Sequence, residues 1–187
     1  MVLPVYLYGH PVLRKISEPV SNDYPDLSRL IADMWETMYH SDGVGLAAPQ
    51  IGKAIKLIVI DGTPLVENFP ECVDSKMVLI NPELEVIEDV APVSCDEGCL
   101  SLPGLSEPVK RYEHVRLSWT DENFQRHERE FTGFISRIIQ HEYDHLIGKV
   151  YIDRVSPIRR SLIKGKLTNI IKGKVRCDYN TKPAPKR

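Results

Sequence analysis

The stretch "IIQHEYDHLIG", residues 138 to 148, sets His141 and His145 four positions apart with Glu142 directly after the first. Positions i and i+4 share one face of a helix, so two imidazoles placed there can approach a single divalent ion. Phe134, Ile138, His141 and His145 recur at helical intervals and make one stripe, which predicts a helix from about Gly133 to Ile147. Both histidines lie on that stripe and are expected to be at least partly buried. A lone histidine there reads as a core residue; two at this spacing, with Glu142 between, point to a metal site.

Working outward, "AIKLIVI" (54–60) and "KMVLINP" (76–82) read as buried strands. Asp61-Gly62 is expected to stop the first and Asn81-Pro82 the second. "EHVRLSWTDENFQRHEREF" (113–131) alternates as a hairpin turning at Asp121 to Asn123. A further helix starts after Pro25, with Leu27, Leu30, Ile31, Met34 and Met38 on its apolar face and Gly43 just past its end. Another periodic segment covers Pro157 to Ile171. These elements predict an α+β fold: a single compact domain of antiparallel or mixed β-sheets packed around a central metal-binding helix. Residues 1–172 form the catalytic domain in this reading, and 173–187 a basic, flexible C-terminal tail.

Composition narrows the function classes. At 187 residues, 42% hydrophobic and 27% charged, the chain has the make-up of one globular domain. It holds no apolar run near the roughly 20 residues that span a bilayer. Its opening lacks the pattern of a secretion signal, so a cytoplasmic location is expected. Without such a signal, Cys72, Cys95, Cys99 and Cys177 are expected as free thiols or metal ligands. Residues 157–187 carry ten Lys or Arg against Asp178 alone, whereas the preceding part holds 14 basic and 25 acidic side chains. That asymmetry suits either a solvated terminal helix or contact with a polyanion such as nucleic acid.

A catalytic metal takes a third protein ligand and keeps an open position. The downstream completions of the HExxH pattern fail: the place of a third histidine is Tyr151, and no glutamate follows Glu142. The third ligand is therefore expected upstream. Candidates are His10, His40, His114, His127, many carboxylates and three cysteines, among which Cys99 stands out within "DEGCLSLPG" (96–104). A closed, purely structural site and an internal-cutting metallopeptidase remain rival readings of these residues alone.

Three segments, "GVGLAAPQ" (43–50), "EGCLS" (97–101) and "QHEYDHL" (140–146), resemble in order and separation the three signature motifs of peptide deformylases. The likeness extends from "LRKIS" (13–17) to "DRVSP" (153–157), covering about residues 3 to 157. The resemblance implies removal of the formyl group from the N-terminal formylmethionine of new polypeptides, with release of formate. It picks out Cys99 as the third metal ligand beside His141 and His145. It implies one Fe2+ per chain, for which Zn2+, Ni2+ or Co2+ substitutes. Glu142 is implied as the general base and acid, with the Gln50 amide and the Leu100 N–H as donors to the oxyanion. For the methionine side chain and the peptide, Val44, Gly45, Phe134 and Ile138 are the expected binding residues. Two departures stand out. Ser106 occupies the region where many members carry a basic peptide contact, and "KGKVRCDYNTKPAPKR" (172–187) replaces a longer helix. The family associates that C-terminal region with docking near the ribosomal exit, and the basic residues here suit ribosomal RNA.

Overall fold

The computed structural model describes residues 1–185; Lys186 and Arg187, the end of the predicted basic tail, lie outside the described residues. The first half runs β1 (Val5–Tyr6), α1 (Leu27–His40), β2 (Gly45–Ala47), β3 (Leu57–Ile60) and β4 (Met77–Val86). The second half runs β5 (Val93–Gly98), β6 (Ser106–Arg111), β7 (His114–Thr120), β8 (Arg126–Thr132), α2 (Phe134–Leu146), α3 (Pro157–Leu162), α4 (Lys164–Ile171) and β9 (Thr181–Lys182). An antiparallel sheet of order β2-β3-β4-β7-β8 is accompanied by the β5-β6 hairpin and a parallel β1-β9 pair. The α+β expectation matches this arrangement.

The run Leu57-Ile58-Val59-Ile60 explains the layering. Side chains alternate across a strand, so a continuous apolar run serves a sheet covered on both faces. Leu57 and Val59 join Leu30, Ile31, Met34 and Met38 of α1 in one cluster. Ile58 and Ile60 join Ile135, Ile138 and Ile139 of α2 in another. On the far side of α2 stands the β5-β6 hairpin, whose backbone carbonyls of Val93 and Val109 accept from Arg137 at 2.8 and 3.0 Å. The helix is thus enclosed by two sheets, and 11 of its 13 residues are buried.

Its ends are fixed locally. The Glu71 carboxylate accepts from the Phe134 N–H at 2.7 Å, satisfying one of the free donors of the first turn. At the other end Gly148 adopts φ +70°, and a Cβ there would lie 2.7 Å from the Arg14 carbonyl oxygen. Only glycine meets both demands.

Three local expectations are corrected. Asn81-Pro82 does not end its strand: β4 continues to Val86 through a register shift between Ile80 and Glu83. Asn81 takes φ 50° and its side-chain amide pairs with the Val20 N–H and carbonyl, both at 2.8 Å. A bulge absorbs the proline's missing donor. The periodic segment 157–171 is two helices with a break at Ile163, which is buried with Leu167 and Ile170 while Ile158 and Leu162 stay exposed. The segment after residue 172, set apart in sequence as a tail, returns to the body of the protein. There Thr181 and Lys182 pair with Val5 and Tyr6.

Candidate active site

The sequence positions His141 and His145 on α2, and the fold brings Cys99 to them from the turn after β5. One donor atom from each of Cys99, His141 and His145 lies within 4.8 Å of the others. Cys99 Sγ and His145 Nε2 are 3.4 Å apart. A thiolate and an imidazole on one tetrahedral ion, with bonds of about 2.3 and 2.0–2.1 Å, sit about 3.5 Å apart, so this pair already has the spacing such an ion needs. No fourth His, Cys, Asp or Glu joins the group among the described residues, which fits an open site better than a closed one. Of the other upstream histidines, His10 accepts from the Val12 N–H, His114 meets Asp89 and Glu130, and His127 meets Asp121, while His40 lines the cleft outside the three-residue group.

One imidazole is aimed by a partner, whereas the buried Nδ1 of His145 has none. His141 Nδ1 lies 2.9 Å from Glu97 Oε2. A carboxylate only accepts, so Nδ1 carries the proton and Nε2 is left to face the cluster. Burial opposes a charge on His141, yet Cys99 and Glu97 beside it raise its pKa well above the usual value. His145 is driven the other way by burial and by the neighbouring His141.

Glu97, unassigned in the sequence, anchors this arrangement. It accepts from Arg111 Nε at 2.6 Å and Nη2 at 2.8 Å, and from Arg137 Nη1 at 3.0 Å. Burial pushes against its charge, but Arg111 and His141 outweigh it and hold the carboxyl at about 2. Arg111 also donates to Asp144 at 3.0 Å, and Asp144 receives Arg154 at 2.6 Å. A chain of buried ion pairs thus ties α2 to the hairpin. In sequence these residues resemble any solvated charges, and only their spacing with the histidines on α2 (Arg137 one turn before His141, Asp144 one turn after it) hinted otherwise.

Glu142 is buried, and its Oε2 has no hydrogen-bond partner. Burial raises its pKa to about 7, although the charge of His141 pulls the other way. Gly45 makes room for it: a Cβ at residue 45 would fall 2.5 Å from Glu142 Oε1. Gln50 is oriented by the Ala47 N–H, which donates to its Oε1 at 2.8 Å, so its Nε2 points to Cys99 Sγ and Ser101 Oγ, each at 3.4 Å.

A cleft of about 720 Å³ opens over these groups. Val44, Gly45, Gln50, Cys99, Leu100, Phe134, Ile138, His141 and Glu142 all line it; His145 lies beneath, fully buried. Ser106 reaches the wall as well, and Arg176 to Tyr179 form a side that no motif in the sequence had placed there. Phe134 stacks on Phe69 with ring centroids 4.0 Å apart, giving the cleft an apolar end near Leu65.

Comparison with known proteins agrees with this geometry. A family model described as "Polypeptide deformylase" matches residues 2–161. The peptide deformylase of Christiangramia forsetii is 41% identical over 96% of this chain and 94% of its own. That of Flavobacterium psychrophilum is 41% identical over the whole of both chains. Among solved structures, the peptide deformylase from Thermus thermophilus superposes with a TM-score of 0.79 at 38% identity, covering 90% of this chain and 97% of that one. The enzyme from Thermotoga maritima gives 0.74 at 36% identity, over 84% and 99%.

Proposed function

Because the chain belongs to the peptide deformylase family, removing the N-formyl group from the formylmethionine of newly made polypeptides and releasing formate, we propose that its own Cys99, His141, His145, Glu142, Gln50 and Leu100 perform that hydrolysis. The observation that supports this assignment is the convergence of three donor atoms within 4.8 Å beside a buried, unpartnered carboxyl.

The family is one of metalloenzymes, and Cys99, His141 and His145 are the residues that would hold the ion. We assign iron(II), one per chain, on the motif resemblance, since a thiolate with two imidazoles accepts zinc, nickel and cobalt too. When bound, such an ion would supply a Lewis acid and would lower a water's pKa from about 15.7 to near 7. Glu142 takes a proton from the attacking water and returns it to the amine nitrogen as the C–N bond breaks, leaving formate and a free N-terminus. Burial raises the Glu142 pKa, which suits a group that both takes and returns a proton. The Gln50 amide, held by Ala47, and the Leu100 N–H donate to the oxygen on which negative charge develops. Phe134, Ile138 and Val44 enclose the methionine side chain, while Gly45 leaves space for Glu142 and for the peptide backbone.

None of the helices among the described residues is long and apolar enough to cross a membrane. The substrate emerges from ribosomes, so we place the enzyme in the cytoplasm, with the basic C-terminal part docking to ribosomal RNA. Domain limits follow the same reading: 1–172 carries the cluster, and 173–187 is an appended basic segment.

Glu142→Ala tests the chemistry. Anaerobically purified protein is expected to keep its iron while formate release from a formyl-Met peptide falls by about 10²–10⁴. Retained activity, or metal lost in step with activity, would remove Glu142 from the proton transfer.

A further inference from the structure

Two carbonyls of the loop after Cys99 are held from behind by the two ends of the chain. The Tyr179 hydroxyl donates to the Leu100 carbonyl at 2.8 Å. The Tyr8 N–H donates to the Ser101 carbonyl at 2.8 Å. These donors are themselves tied together, because β1 and β9 pair in parallel. Val5 N–H donates to the Asn180 carbonyl at 2.8 Å and Leu7 N–H to the Lys182 carbonyl at 2.9 Å. Val175 packs into the cluster that contains Leu102, Leu105 and Val109, so the segment leading to Tyr179 is anchored by apolar contact as well.

On the reading proposed above, the Cys99–Leu100 peptide carries the N–H that serves the oxyanion. A peptide unit is planar and rotates only about the flanking ψ and φ. On one side of it the Cys99 side chain is committed to the cluster with His145 at 3.4 Å; on the other the Leu100 carbonyl is committed to Tyr179. Fixing both flanks limits the rotation. Burial raises the Tyr179 pKa, so the hydroxyl remains a donor at every pH where the enzyme would work.

We propose that Tyr179 is a positioning residue for deformylation: its hydroxyl, delivered by the strand that closes on β1, fixes the Cys99–Ser101 loop so that the Leu100 N–H is aimed at the developing oxyanion. The proposal rests on the reading of Leu100 as an oxyanion donor. It assigns a task to a segment that sequence alone separates from the catalytic body. A donor aimed in advance acts without reorganisation, and a misplacement of about 1 Å can cost up to 10²-fold in rate.

The test is steady-state formate release from formyl-Met-Ala by Tyr179→Phe, which keeps the ring and removes only the hydroxyl, with metal content and thermal midpoint measured on the same samples. Tyr179→Phe is expected to lower kcat about 5- to 30-fold with KM within about twofold. Metal content should be unchanged, and the midpoint should move no more than about 4 °C. An unchanged kcat, or a loss of rate matched by loss of metal or of folded protein, overturns the proposal. Gln50→Ala, assayed beside it, separates the failures. If Gln50→Ala is crippled while Tyr179→Phe is not, the brace falls alone; if neither variant loses kcat, the oxyanion reading falls with it.

Discussion

Glu142 is asked to be buried and to carry charge in turn, and the two demands meet in its titration. With no partner for Oε2 and no metal present, burial favours the protonated form and lifts the carboxyl from its usual 4.5 to about 7. A group whose pKa is raised on folding binds its proton more tightly in the native state. Its stabilising effect is complete below the unfolded value and disappears as pH rises through the folded one. Metal-free protein is therefore expected to lose roughly 3 kcal/mol from this group between about pH 4.5 and 7. Glu142→Gln stays neutral and should escape that loss. Urea unfolding of the two chelated proteins at pH 5 and pH 8 measures it: the advantage of the glutamine variant must grow with pH, and a constant difference would refute the assignment. The nearness of Glu142 to both histidines was readable from its place between them. The need for glycine at 45 was not, because a backbone position cleared for a side chain nearly 100 residues later leaves no local mark.

At the scale of the element, α2 shows why half of the site was visible in sequence and half hidden. Apolar residues and histidines at helical spacing exposed one stripe, the one that faces β3 and the cleft. Arg137, Gln140 and Asp144 share the side next to it, and in sequence they have the look of a solvated face. They are buried because the β5-β6 hairpin covers them, and the Cys99 segment, visible only as a short apolar stretch, turned out to be the end of that hairpin. Arg111 is the link between the two, holding Glu97 and Asp144 together. Replacing it with Met leaves two buried carboxylates without their shared cation, a change that typically costs about 3–5 kcal/mol. The exposed Arg116, which meets Glu85 and Glu130 on the outer face of β7, makes the comparison. Arg116→Met should cost no more than about 1 kcal/mol, since surface pairs are screened by water. Equal losses in denaturant unfolding would mean that the Arg111 network contributes nothing beyond surface pairing.

Across the whole molecule, charge and chain path separate in a way the sequence could not express. Counting side chains correctly located the basic excess after residue 156, but a charge count carries no topology. Pairing between residues 5–6 and 181–182 spans almost the full chain, and strands of two residues have no detectable period. The C-terminal part consequently has two sides: Arg176 to Tyr179 face the cleft, while Lys164, Lys166, Lys172 and Lys174 are exposed to solvent. Docking to ribosomal RNA would use the second side, because phosphate contacts need accessible cations and release counterions on binding. Charge reversal of Lys164, Lys166 and Lys172 to Glu should then abolish salt-sensitive co-sedimentation with ribosomes. Hydrolysis of a short formyl-Met peptide, which needs only the cleft, should stay within about twofold, since these exposed side chains do not line it and salt screens exposed charges. Undiminished co-sedimentation would detach this basic surface from the ribosome. Loss of peptide hydrolysis together with binding would mean that the two sides of the segment do not act independently.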